Sequence, residues 1–275
     1  MNEPNRPVVS PDLYTEEYFR NACEGFDEFN ESEGDRLSRR LNASFALAEI
    51  RPGMRVLDVG CGRGEILRHC ARLGADAFGI DYAPVAVSMS QQVVAQSKDS
   101  TPTDVQTGKI GVGQADAKHL PFPSAYFDRV LLFDVVEHLY PWELALCMKE
   151  IHRVLKPGGM FVVHTAPNVW YDRYAYPFVR AFRRVLGQGD RYPANPRQFL
   201  VEHNSHVHVN EQSGLGLWRT LRKAGFSARV WLDSPPQNRR ESGVLSAMRY
   251  VFFRIPPFRW FFEREVFAVA EKPAR

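Results

Sequence analysis

The chain predicts an α/β fold built on a mostly parallel sheet. Short apolar runs alternate with amphipathic helical stretches between residues 56 and 165, the pattern of βαβ units joined by right-handed crossovers. Several of these runs, such as Phe127 to Phe133, are largely apolar, as expected when helices cover both faces of a parallel sheet. A glycine-rich turn, Gly60-Cys61-Gly62-Arg63-Gly64, joins the first run to the next helical stretch.

The elements follow in order. Met1 to Asp12 is polar, carries three prolines and reads as a loosely packed arm. Leu13 to Asn30 is aromatic and acidic, which suits one or two short helices packing onto something else. A helix is expected over 34–50, with Leu37, Leu41, Phe45 and Ala48 at helical spacing and Arg51-Pro52-Gly53 as its stop. Val56 to Val59 is the first strand. Ile66, Leu67, Cys70 and Leu73 share one face of the helix after the glycine turn, and Gly74 closes it. A second strand spans 77–80 and ends in Asp81. A helix covers 84–95, and a polar loop 97–108. Strands are expected at 110–115, 127–133 and 160–165. The helix before the last of these, 142–155, is given Pro157-Gly158-Gly159 as terminator. Residues 168–202 break the rhythm and read as an insertion. A helix over 211–223, a strand over 227–232, a second insertion over 233–263 and a last strand over 266–270 complete the chain. The domain reading is an arm and lid at 1–35 and one domain over 36–275.

Composition limits the functional classes. At 275 residues the chain suits one large domain, or one core with insertions. A net charge of +3, from 35 basic and 32 acidic residues, is too balanced to imply nucleic-acid binding by charge alone. Four cysteines without a C-x-x-C pair suggest neither a disulfide framework nor a cysteine zinc site. Reduced thiols and an N-terminus without the apolar run of a signal peptide lead to a cytoplasmic expectation.

The glycine turn carries the chemistry. Glycine lets the backbone turn sharply and approach a ligand closely, and such turns at the carboxyl edge of a parallel sheet bind nucleotide-like ligands. A dinucleotide fingerprint would read G-x-G-x-x-G and face a pyrophosphate. Here the spacing is G-x-G-x-G, preceded by Asp58. A carboxylate there repels a pyrophosphate but suits the cationic ammonium of S-adenosylmethionine. Asp81, at the end of the second strand, can accept from two ribose hydroxyls. Asp116, at the end of the third, can accept from an adenine amine.

These residues resemble the class I S-adenosylmethionine-dependent methyltransferases, near the small-molecule branch that includes ubiquinone-biosynthesis O-methyltransferases. The segments VLDVGCGRGEI (56–66), FGIDYAP (78–84), GQADAKHLPFPSAYFDRVLLFDVVEHL (113–139) and EIHRVLKPGGMFVVHTAPN (150–168) carry the resemblance. It covers residues 36–168 strongly, and 203–232 and 264–272 more weakly. It implies a Rossmann-like, seven-stranded, mostly parallel sheet with an antiparallel last strand, and S-adenosylmethionine as cofactor. It implies that Asp58, Gly60, Cys61, Gly62 and Gly64 line the methionine part, that Asp81 holds the ribose, and that Tyr82 lies near the adenine. Asp116 and Ala117 would meet the adenine edge, and Phe133 and Asp134 the amino-acid end. The segment from Tyr14 to Tyr18 would fold over the site as a lid.

Methyl transfer to a hydroxyl needs alignment, exclusion of water and a base near neutral pKa. Histidine suits that role. His138, next to Glu137 beyond the fourth strand, is the first candidate, and His164 at the end of the fifth strand is another. In an extended segment His206 and His208 would share one face, beside Glu202 and His203. A polar loop is the preferred reading there, and no complete metal-ligand set is visible. The insertions mix aromatic residues with arginine, which suits a lid packed on the core, a pocket for a large or acidic acceptor, a membrane-surface contact or a dimer surface. The leading expectation is O-methylation of a sugar, lipid, quinone or natural product. Alternatives are N- or C-methylation, tRNA methylation, a degenerate scaffold and a nucleotide-dependent oxidoreductase. The charge balance argues against RNA, the intact acid and glycine set against a scaffold, and Asp58 with the glycine spacing against an oxidoreductase.

Overall fold

The computed structural model describes residues 6–99, 107–196, 206–233 and 250–274. One seven-stranded sheet has the order β3-β2-β1-β4-β5-β7-β6. The strands are β1 (Arg55–Val59), β2 (Asp76–Asp81), β3 (Ile110–Gln114), β4 (Phe127–Phe133), β5 (Leu155–Thr165), β6 (Ser227–Asp233) and β7 (Glu265–Glu271). The first five pair in parallel, and β7 lies antiparallel between β5 and β6. The chain order reverses at β1 and β4, which places a crevice at the carboxyl ends of these two strands.

Alternation along each strand builds two cores, because successive side chains point to opposite faces. Leu57, Val130, Leu132, Phe161 and Val163 face one side, against Leu144, Met148 and Ile151 of α6 (Pro141–Val154) and Leu217 and Leu221 of α8 (Gly214–Lys223). Val56, Ala77, Leu131 and Val162 face the other, against Leu41 of α3 (Arg39–Ala46) and Ile66, Leu67 and Cys70 of α4 (Glu65–Arg72). Both faces of β1 and β4 are therefore dry. A leucine-to-alanine change at a site such as Leu131 would cost about 2–5 kcal/mol.

Several boundaries differ from the sequence reading, each for a local reason. Helix α3 starts only at Arg39, because the Ser38 hydroxyl accepts the Leu41 N–H at 3.2 Å and caps it. Helix α8 starts at Gly214, where Ser213 accepts the Gly216 N–H. Helix α5 (Pro84–Asp99) runs longer than expected, so the polar loop starts later. Pro157-Gly158-Gly159 does not follow α6 as a separate turn. The helix passes straight into β5 at Leu155, whose ψ is 136°. The Pro-Gly-Gly lies within β5, at a register irregularity with β4.

The N-terminal arm is docked rather than loose from Arg6 onward. Val9 is buried, and its carbonyl accepts the Tyr82 hydroxyl at 3.1 Å. Two short helices follow, α1 (Glu16–Asn21) and α2 (Phe26–Ser32). Tyr14, Tyr18, Phe19 and Phe29 form a third buried cluster with Ala86, Met89 and Val93 of α5. The insertion after β5 forms a π-helical turn (Tyr171–Ala175) and α7 (Tyr176–Val185). The second insertion contributes α9 (Phe258–Phe262). Residues 197–202 and 234–249 of these insertions lie outside the described residues. No helix among the described residues is long and apolar enough to cross a membrane.

Candidate active site

A cavity of about 920 Å³ opens at the carboxyl ends of β1, β2 and β4 and is closed on one side by α1 and α2. That volume lies within the range of small-molecule sites. The glycine loop forms its floor. Gly60 and Gly62 have φ of 76° and 51°, conformations that residues with a Cβ avoid. A Cβ on Gly60 would lie 2.4 Å from Cγ2 of Val135. Gly64 does not line the cavity. With φ of 83° it precedes α4 and packs on Ser90, so its role is helix–helix packing.

Two buried carboxylates face this space. Asp58 is 3% exposed, and among the described residues no hydrogen-bond donor meets its side chain. Burial, with Asp81 and Glu65 nearby, pushes its pKa up to about 8. Asp81 accepts the backbone N–H of Gly62 at 3.1 Å and of Ala83 at 2.9 Å. Burial raises its pKa to about 6 against those bonds. A buried acid without a donor or cation of its own is suited to a ligand that supplies one.

The other sequence candidates fall into place around these two. Tyr18, Cys61, Tyr82, Ala117 and Phe133 line the cavity. Asp116 lines it too, but its oxygens already meet the Lys118 N–H and ammonium, each at 2.9 Å. Lys118 also pairs with buried Glu143 at 2.7 Å. Sequence reasoning missed this anchor, although an Asp-x-Lys step beyond a strand could have signalled it.

Asp134 sits at the end of β4 with φ of 54°, a strained conformation that aspartate tolerates better than most residues. Its Oδ1 meets Nδ1 of His164 at 2.8 Å and lies 3.8 Å from Arg40. Burial opposes its charge, but His164 and Arg40 outweigh it and hold the pKa near about 2. Burial likewise opposes the charge on His164, and Asp134 raises it to about 9. His164 is fully buried and does not line the cavity, so it is placed to hold Asp134 and not to meet an acceptor.

Glu137 and His138 do line the cavity, on a short helical turn after β4 (Val136–His138). Glu137 is 2% exposed and accepts the Thr165 hydroxyl at 2.7 Å. Burial, then the charge of Asp134, raises its pKa to about 7. Nδ1 of His138 lies 3.0 Å from the Tyr14 hydroxyl. The His138 ring stands edge-on to His208, with centroids 4.9 Å apart. His206 and His208 do not share a face. Residue 206 is exposed and helical, while His208 is buried against the cavity. Glu202 and His203 lie outside the described residues. Glu137, His138 and His208 instead converge, each offering a ligand atom within 4.8 Å of the others. Two imidazoles and a carboxylate form a donor set that a divalent ion such as zinc takes.

Arg63, in the glycine loop, fastens the N-terminal helices. Its guanidinium makes two bonds of 2.9 Å with Glu65 and donates to the carbonyls of Phe19 and Glu24. The ring of Phe29 lies 4.7 Å beneath it. The glycine loop and the N-terminal helices are thus joined through one buried cation.

A pocket at this strand edge, with two desolvated acids and a floor of cavity-lining glycines, fits the cation and ribose of S-adenosylmethionine. Comparison with known proteins agrees. The methyltransferase domain family matches residues 57–163. The chain is 31% identical to the ubiquinone/menaquinone biosynthesis C-methyltransferase UbiE of Bordetella parapertussis, over 76% of this chain and 78% of that protein. It is 35% identical to a ubiquinone biosynthesis O-methyltransferase of Azorhizobium caulinodans over 42% of each chain. The solved structure of a geranyl diphosphate methyltransferase in complex with S-adenosylmethionine shares the fold, with a TM-score of 0.57, 16% identity and 92% of each chain covered. The chain belongs to the class I S-adenosylmethionine-dependent methyltransferases.

Proposed function

We propose that this methyltransferase acts on an oxygen of a hydroxylated small molecule, with His138 as the base that takes the acceptor proton. The observation that carries the reading is the place of His138. It lies on the cavity wall, beyond the cofactor-side acids, hydrogen-bonded to the Tyr14 hydroxyl of the lid. Asp58 with Gly60, Cys61 and Gly62 would hold the methionine part of the cofactor. Asp81 would hold the ribose, Tyr82, Asp116 and Ala117 would flank the adenine, and Tyr18, Phe133 and Asp134 would border the amino-acid end. When bound, the cofactor supplies an electrophilic methyl on a sulfonium.

The remaining work falls to the chain. Residues 6–35 would act as the lid, their aromatic cluster keeping water from the crevice. Tyr14 fixes the ring of His138, so that one imidazole nitrogen is engaged and the ring plane is set. Glu137, bonded to Thr165, backs the same turn. The acceptor would lie among His138, His208, Pro167 and Arg264 on the cavity rim. Methylation on carbon is the second reading, because the UbiE relative is a C-methyltransferase.

A methyl-labelled cofactor assay against phenolic quinone precursors, hydroxylated lipids and sugars tests the proposal, with product mass spectra locating the methyl. An O-methyl product supports it. Label fixed on carbon selects the second reading, and label in tRNA alone overturns both.

Cofactor affinity should depend on pH. In the free protein Asp58 and Asp81 ionise near about 8 and about 6. A cationic, hydrogen-bond-donating ligand prefers both as carboxylates, so binding releases protons. Affinity therefore rises with pH, by about tenfold per unit for each group still protonated, and passes through a maximum near about 8, above which the ligand's own α-ammonium loses its proton. The free protein shows the opposite trend. A carboxyl whose folded pKa exceeds its unfolded value stabilises fully below the unfolded value of about 4, and that stabilisation is lost as pH rises through the folded pKa. Calorimetry from pH 5 to 9, in buffers of different ionisation enthalpy, measures both affinity and proton release. A flat affinity across this range would contradict the assignment of Asp58 and Asp81.

A further inference from the structure

The most unusual surface lies outside the cavity, on the two insertions. An amphipathic helix ordinarily turns its apolar stripe inward. Helix α7 does the reverse. Tyr174, Phe178, Phe182 and Val185 recur at helical spacing, and all are exposed, Phe178 at 72% and Val185 at 85%. Arg180 and Arg183 lie half-buried on the flank, where their guanidinium groups meet Tyr192 O and Gln188 Oε1. The second insertion presents Tyr250, Ile255, Phe258 and Trp260, each at least 40% exposed.

These two patches adjoin. Phe261 stacks on Trp170 at 5.3 Å and meets Tyr174 edge-on at 5.8 Å. Charge follows the same surface. Residues 170–192 and 250–264 hold eight arginines against three acids, a net of +5 on a chain whose total is +3. Asp233 pairs with Arg254 and Arg259 at 3.5 and 3.6 Å, which leaves the two segments with a net positive charge beside it. The face also reaches the cavity. Arg264 lines the cavity rim while its guanidinium lies over Tyr171, 5.1 Å from the ring centroid. Asn168, just beyond the rim residue Pro167, donates to the carbonyls of Trp260 and Glu263.

We propose that the two insertions form one docking face for a lipid bilayer with anionic headgroups, which seats the cavity mouth at the membrane surface. Outward aromatic and aliphatic side chains would enter the headgroup boundary, and arginines at the same level would meet the lipid phosphates. Trp260 and the tyrosines suit the interfacial zone, where a ring can be half apolar and half wet. A second copy of the chain would present the same arginines to this face, so charge favours the anionic lipid over self-association. The proposal concerns binding alone and stands apart from the choice of acceptor atom.

Vesicle co-sedimentation of the full chain is the test. Phosphatidylcholine vesicles are compared with the same vesicles carrying about one-third phosphatidylglycerol. The wild type should bind the anionic vesicles at least about tenfold more tightly, and salt should weaken that preference. Phe178→Ser with Phe182→Ser should lose about tenfold or more of the binding. Arg173→Gln with Arg184→Gln should lose the preference for anionic lipid. Unchanged S-adenosylhomocysteine binding shows that each variant is folded. Wild-type protein left in the supernatant, or serine variants that bind like wild type, would overturn the proposal. A dimer in light scattering that the serine variants dissociate, without vesicle binding, would reassign the face to self-association.

Discussion

His138→Ala should lower kcat by about 10²–10⁴, the usual contribution of a general base, while leaving cofactor affinity within a factor of about three. The split follows from position. His138 shares the cavity with the cofactor-side acids, and its ring meets Tyr14 and His208. Loss of the imidazole removes the proton acceptor and leaves Asp58, Asp81 and the glycine loop untouched. Tyr14→Phe keeps the ring that packs against Tyr18 and Tyr82 but deletes the hydroxyl at Nδ1. It should show a smaller loss. Steady-state kinetics with the identified acceptor measures both. Full kcat at every pH in His138→Ala would remove the base assignment. Loss of wild-type activity with a chelator, restored by a divalent ion, would assign Glu137, His138 and His208 to a metal instead.

The sheet and its cofactor edge were legible because their causes are local. Period-two burial, the glycine turn and an acid at a strand end are written in contiguous residues, and Asp58, Asp81 and Asp116 all reach the cavity. Features that depend on long-range packing were not legible. Arg63 reads as a spacer between glycines, yet it gathers the N-terminal helices because Phe19 and Glu24 fold back across about 40 residues. His208 comes to His138 because the backbone N–H groups of Val209 and Asn210 donate to the Glu137 carbonyl, at 2.8 and 3.0 Å, across about 70 residues. The same blindness affected His164, whose strand-end position suggested chemistry. Its register within β5 points it at Asp134 and into the core. The Pro-Gly-Gly run misled for another reason. A helix can hand over directly to a strand, and the glycines then serve an irregular pairing rather than a cap. The insertions showed their composition in sequence, but which side of α7 faces outward is decided only by tertiary packing.

Titration of S-adenosylmethionine and S-adenosylhomocysteine into wild type and Asp81→Ala, with NAD as control, tests the central claim most directly. Asp81 is the one strand-end acid that both faces the cavity and orders the glycine loop through the Gly62 N–H. As the proposed ribose ligand it would accept two charge-assisted hydrogen bonds from ligand hydroxyls, each contributing about 1.5–3 kcal/mol, and its replacement also frees the loop amide. The wild type should bind both adenosyl ligands in the micromolar range and ignore NAD. The variant should bind them at least about 100-fold more weakly while unfolding as cooperatively as wild type. Equal affinity in the two proteins, or binding of NAD, would contradict the account.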